Sequence, residues 1–266
     1  MEILLPAIVL GSLGALFGAW LTLAQKVFAV KKDERTEHIF SLLPGSNCGA
    51  CGKAGCYGLA EAITKGEIDN VSCPIADEES RKGIAEIADI KLQDKTEQVA
   101  TLICNGGKNC KDDFVYSGPK DCNIANIIMN GPKACTFACI GFASCVKVCP
   151  FNAILMDENN LPNIDMAKCT GCGKCLKACP KGVLELAPVK SQYHIICNSN
   201  DKGPDLMKAC KVGCIACGKC VKECPESAIT IKNNLAIIDY DKCINCGKCI
   251  GVCPTKAIGR RIGYVE

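Results

Sequence analysis

One motif recurs in this chain with a spacing that few folds accommodate. Cys169, Cys172, Cys175 and Cys179 read C-x2-C-x2-C-x3-C-P in the stretch CTGCGKCLKACP. The same run returns at Cys214, Cys217, Cys220 and Cys224, and again at Cys243, Cys246, Cys249 and Cys253. Two residues between thiols let one loop wrap three corners of a small inorganic cube. The fourth thiol, about one helical turn on, points away toward a second cube. Such a chain folds around its metal centres rather than around a large apolar core. Composition agrees, since 25 of 266 residues are cysteine and only 5% are aromatic.

Zinc and disulfides are the competing uses of cysteine. Tetrahedral zinc sites pair C-x2-C knuckles across a longer loop or mix in histidine. Here the only histidines are His38 and His194, and neither has a ligand partner nearby in sequence. The pattern therefore points to [4Fe–4S] clusters whose iron is held by these cysteines. Cross-ligation gives Cys214, Cys217, Cys220 and Cys253 one cluster, and Cys243, Cys246, Cys249 and Cys224 another. The same logic assigns Cys169, Cys172, Cys175 and Cys149 to a third. Cys48, Cys51, Cys56 and Cys73, spaced C-x2-C-x4-C-x16-C-P, form a further set with glycines between them.

The chain also repeats itself. KACTFACIGFASCVKVCPFNAI from Lys133 aligns without a gap with KACKVGCIACGKCVKECPESAI from Lys208. NIDMAKCTGCGKCLKACPKGV from Asn163 aligns with IIDYDKCINCGKCIGVCPTKA from Ile237. The first copy has Phe142 where the second has Cys217, so one loop thiol is missing. Cys135, about one helical turn before Cys139, is the expected replacement. The fifth set is then Cys135, Cys139, Cys145 and Cys179. On that reading Cys135→Ala loses this cluster or converts it to a three-iron form, while Cys210→Ala changes no iron count. Cys104, Cys110, Cys122, Cys197 and Cys210 remain as small buried hydrophobes or parts of a sixth metal site. The strand-like leads VATLICNGG and QYHIICNSN either correspond, which makes Cys110 and Cys122 an insertion, or Cys122 pairs with Cys197.

The expected fold class is α+β: an N-terminal transmembrane helix, a small iron–sulfur domain and two tandem bacterial-ferredoxin-like two-cluster modules. The divisions are 1–30, 31–96 (with a helical linker), 97–189 and 190–266. Ile3–Ala24 carries no charge and spans about 33 Å as a helix, a bilayer's hydrocarbon thickness. A cleaved signal peptide competes, but there is no basic n-region and the apolar run is long. Lys26, Lys31, Lys32 and Arg35 follow it, which predicts a cytoplasmic soluble part by the positive-inside rule. That reducing compartment disfavours disulfides. Tyr57–Thr64 reads as a short helix ended at Gly66, and 228–239 as two strands about an Asn-Asn turn. The net charge of +3, without a basic stripe, argues against nucleic acid. No GxGxxG or Walker loop marks a nucleotide site.

With LPGSNCGACGKAGC and its later CP, the apolar helix and the ferredoxin modules, the whole chain resembles the B subunit of the Rnf complex. That resemblance implies a membrane-bound, ion-translocating ferredoxin:NAD+ oxidoreductase. In it this subunit accepts electrons from reduced ferredoxin and relays them through its clusters. The nicotinamide and flavin sites would belong to other membrane and peripheral subunits. The residues alone leave two alternatives open: an electron-transfer subunit of a hydrogenase or formate dehydrogenase, and a zinc-stapled membrane adaptor.

Overall fold

The computed structural model describes residues 4–28, 33–68, 71, 73–90, 92 and 97–261. Ile3, Lys31, Lys32, part of the expected linker and the last five residues lie outside the described residues. Helix α1 (Leu4–Val27) is apolar on every side, and Leu10, Leu16, Trp20 and Leu21 are all exposed. It is the one helix among the described residues long and apolar enough to cross a membrane. A helix of this kind with no protein to pack on is suited to a hydrocarbon surround.

Three helices follow: α2 (Glu34–Leu42), α3 (Cys56–Thr64) and α4 (Glu78–Ala88). Asp33 caps α2 by accepting the Arg35 N–H, and Asp77 caps α4 by accepting the Ser80 N–H at 2.7 Å. Ile39, Leu59 and Ile84, one from each helix, are fully buried in a shared core. The stop after α3 is at Gly66, whose N–H donates to the Ile63 carbonyl.

Residues 97–261 form two modules of the same plan. In the first, β1 (Gln98–Leu102) leads through the short α5 (Cys122–Ile127) and α6 (Ser144–Lys147) to a hairpin, β2 (Ile154–Met156) and β3 (Pro162–Ile164). After α7 (Lys174–Lys177), β4 (Leu184–Pro188) returns antiparallel to β1, with Ala100 opposite Leu186. In the second, β5 (Tyr193–Ile195) is followed by α8 (Gly203–Ala209), α9 (Lys219–Glu223) and a hairpin of β6 (Ile229–Lys232) with β7 (Leu235–Ile238). After α10 (Lys248–Gly251), β8 (Ile258–Arg260) pairs with β5. Asn233 and Asn234 turn that hairpin with φ of 48° and 61°, as a type I′ turn requires.

Because β1 meets β4 as β5 meets β8, the two leads correspond. Cys104 is thus the counterpart of Cys197, and the first module carries an insertion containing Cys110 and Cys122. The modules share one core that includes Cys104, Cys135, Cys197 and Leu206. An antiparallel bridge between Cys110 and Cys210 joins them, flanked by Lys111 N–H donating to Ala209 O at 2.9 Å. Further along the seam, Tyr240 Oη donates to Glu185 Oε1 at 3.0 Å and Arg261 Nη1 to the Pro188 carbonyl at 2.9 Å.

Candidate metal centres

Each C-x2-C-x2-C run lies on a loop that tightens into a one-turn helix at its third cysteine, and the proline after the fourth ends that turn. The loop at Cys169 shows why. Gly171 has φ +68°, and a Cβ there would run into the Gln98 carbonyl oxygen, so only glycine lets the loop press against β1. In return Ala100 N–H donates to Cys169 Sγ at 3.4 Å. The fourth cysteines receive amides as well: Ala153 N–H to Cys149 at 3.4 Å, Ala228 to Cys224 at 3.3 Å, and Ala257 to Cys253 at 3.2 Å.

Four small cavities each have four cysteines in their walls. One holds Cys214, Cys217, Cys220 and Cys253. Another holds Cys224, Cys243, Cys246 and Cys249. A third holds Cys149, Cys169, Cys172 and Cys175. In all three the fourth cysteine of one run faces the loop of the other, as cross-ligation predicts.

The remaining cavity differs from expectation. Its thiols are Cys122, Cys139, Cys145 and Cys179, and Cys135 is not among its walls. The inserted segment delivers Cys122. Cys122 N–H donates to Ser144 Oγ at 2.8 Å, and that hydroxyl donates to Asp121 Oδ2 at 2.9 Å. Phe142, which takes the place of the missing thiol, packs against Tyr116 with ring centroids 5.3 Å apart. Lys120 Nζ lies over the same Phe142 ring, 4.6 Å from its centroid. The side chain that stands at the missing thiol thus packs on the insertion that brings Cys122 to this cavity. Cys135 lies instead in the core between the modules, with Cys104, Cys110, Cys197 and Cys210. One helical turn of separation from Cys139 had suggested reach, but residues 135–139 are not helical.

In the N-terminal domain, Cys73 is buried beside Cys48 and Cys56, and Cys51 packs on the same core. Asn47 Oδ1 accepts the Cys56 N–H at 2.8 Å. Gly55 sits at φ +93° with its missing Cβ only 2.7 Å from that oxygen, so the turn into α3 needs glycine.

Burial first, and then the neighbouring sulfurs, pushes up five of the cavity thiols, Cys139, Cys145, Cys175, Cys220 and Cys249. Cys145 and Cys220 rise to about 11 and Cys175 to about 12. Thiols gathered in this way keep their protons until a cation replaces them, so loading a metal releases protons. Among the described residues no three His, Cys, Asp or Glu side chains converge as they would around a single ion. All-sulfur sets spread around a cavity fit a cluster better than one tetrahedral zinc. Sequence reasoning set Cys122 aside.

Two ferredoxin-like modules, an N-terminal cysteine set and an apolar helix define a membrane-associated, multi-cluster iron–sulfur electron-transfer protein. An Fe-S cluster family model matches residues 43–75, and the 4Fe-4S dicluster domain matches 134–183 and 213–257. The chain is 41% identical over 241 residues to the B subunit of the Na+-translocating ferredoxin:NAD+ oxidoreductase complex of Acetobacterium woodii, covering 90% of this chain and 72% of that protein. It is 41% identical over 235 residues to the B subunit of the ion-translocating oxidoreductase complex of Methanosarcina acetivorans (88% and 89% covered). It is 42% identical over 239 residues to the B subunit of the proton-translocating ferredoxin:NAD+ oxidoreductase complex of Clostridium ljungdahlii (89% and 84% covered). The chain belongs to this family, the B subunits of ion-translocating oxidoreductase (Rnf) complexes.

Proposed function

We propose that this protein accepts electrons from a reduced ferredoxin and relays them toward the partner subunits of its complex. The observation that carries the reading is the repeated cross-facing cysteine sets, Cys149 with the Cys169 loop and Cys224 with the Cys243 loop. With Cys48–Cys73, the Cys214 loop and the Cys122 set, they make five candidate [4Fe–4S] sites. When bound, each cluster supplies a centre that takes up and gives back one electron.

The chain's own residues hold and tune these centres. Thiols fix the iron, and the amides of Ala100, Ala153, Ala228 and Ala257 donate to the ligand sulfurs. Such hydrogen bonds favour the more negative, reduced form and raise the potential. Ferredoxin as donor is supported by the names of two relatives, both ferredoxin:NAD+ oxidoreductase complexes. Flavin and nicotinamide chemistry is assigned to other subunits. On this reading the soluble part faces the cytoplasm, because Lys26, Lys31, Lys32 and Arg35 follow a single apolar span.

The test is rapid anaerobic mixing of the purified complex with reduced ferredoxin. The reading expects the visible absorbance of this chain's clusters to bleach within one turnover. No bleaching, with rapid reduction by NADH alone, would overturn the donor assignment. Added protease should digest residues 33–266 in inside-out vesicles and spare them in intact cells.

A further inference from the structure

We propose that Cys104, Cys135, Cys197 and Cys210 hold a sixth [4Fe–4S] cluster at the seam between the two modules, with Cys110 beside it as a non-ligand thiol. Each of the four is at most 8% exposed, and all pack in the core that joins the modules. They arrive from four separate segments. The four are also two equivalent pairs: Cys104 and Cys197 end the strand leads, while Cys135 and Cys210 stand in the aligned KAC triplets at 133–135 and 208–210. The candidate site therefore has the same internal two-fold relation as the modules around it.

The backbone repeats that relation. Each sulfur faces the backbone amide two positions on, at Phe137 for Cys135, Ser199 for Cys197 and Val212 for Cys210, and at Cys104 that amide, the Gly106 N–H, donates to the sulfur at 3.4 Å. A second pair is also symmetric. Cys139 N–H donates to Cys104 Sγ at 3.4 Å, and the Cys214 N–H faces Cys197. A neutral thiol is a weak acceptor, so six backbone amides facing four sulfurs is a poor use of donors in an ordinary core. Four thiolates around an iron–sulfide cube carry net negative charge, and buried amides offset it.

A lone buried cysteine is by default a small hydrophobe. That account explains one such residue, not two matched pairs with matched amides. Disulfides do not explain them either, since all the cysteines are free. Cys110 breaks the pattern. It belongs to the insertion and has no counterpart in the second module. The amide that reaches its sulfur comes from Cys135 rather than from its own turn, and its S–H faces the Lys111 carbonyl at 3.6 Å. Cys139 and Cys214 line the cavities on either side. The backbone of one cavity cysteine in each module thus faces the proposed site, which makes it the bridge between them.

The test is iron, acid-labile sulfide and zinc analysis of the anaerobically purified full-length protein, with EPR of the oxidised form. Six sites predict about 24 irons per chain, against about 20 for five. Cys104→Ala, Cys135→Ala, Cys197→Ala and Cys210→Ala should each remove about four irons or leave a three-iron EPR signal. Cys110→Ala should keep the full count. A wild-type count near 20, zinc released by these variants, or equal iron loss in Cys110→Ala and Cys210→Ala would overturn the proposal. The wild-type count decides even if a variant fails to fold. It also does not depend on which protein donates electrons.

Discussion

If Cys122 rather than Cys135 completes the set of Cys139, Cys145 and Cys179, the two thiols must differ in one background. The double variant Cys139→Ala/Cys145→Ala removes two of that cavity's four sulfurs. Half a ligand set does not hold a cube, so this variant should lose about four irons per chain and show no three-iron signal. Adding Cys122→Ala to it should then cost no further iron, because the site is already lost. Adding Cys135→Ala should cost more iron, because its sulfur belongs to the cluster proposed at the seam between the modules. Alanine at 122 leaves the fold intact, since the tether to Ser144 uses the backbone N–H of that residue. The assay is iron per chain by colorimetry or plasma emission, corrected for protein by amino-acid analysis. Comparing triple with double variants makes the result independent of the wild-type total. Further loss with Cys122→Ala, together with none for Cys135→Ala, would refute the assignment.

The tether itself is testable. Ser144→Ala leaves the Cys122 N–H and one Asp121 oxygen without their partner inside a site where Ser144 is 3% exposed. Anaerobic urea unfolding should show a lower midpoint, and an unchanged midpoint would refute the tether. Gly171→Ala forces a side chain into the left-handed region and against the Gln98 carbonyl. It should cost about 1–3 kcal/mol and lower the thermal midpoint, and wild-type stability would show that β1 yields freely. His194 is buried, and burial first, then Arg261, lowers its pKa from 6.5 to about 4. The unfolded chain therefore binds the extra proton, so this contribution is full above pH 6.5 and is lost as pH falls toward 4. The slope approaches about 1 kcal/mol per pH unit below 6.5, and His194→Gln should flatten it between pH 7.5 and 5.5. An identical slope in the variant would assign the effect to other groups.

What was legible in the sequence was local. Three C-x2-C-x2-C-x3-C-P runs state their own geometry, because two-residue spacing fixes how a loop can wrap. The Asn233–Asn234 hairpin and the α3 stop at Gly66 are likewise short-range facts, and the structure has both. Cross-facing of fourth cysteines was readable only because it follows from the run itself. The partner of a broken run was not readable, since it depends on a contact between distant segments. Cys135 looked right by counting residues from Cys139, yet that count assumed a helix where the chain makes turns.

The broken run also shows how such a site could keep a full donor set. Phe142 cannot bind iron, but its ring gives Tyr116 and Lys120 something to pack on. Those residues belong to the insertion that ends in Asp121 and Cys122, which Ser144 fastens to the loop beside Cys145. The missing thiol at 142 and the insertion are therefore coupled by packing. The same insertion carries Cys110 to the bridge with Cys210 and so closes the seam where the matched thiols meet. A chain without the insertion would have to restore cysteine at 142, and it would lose part of the contact between its modules.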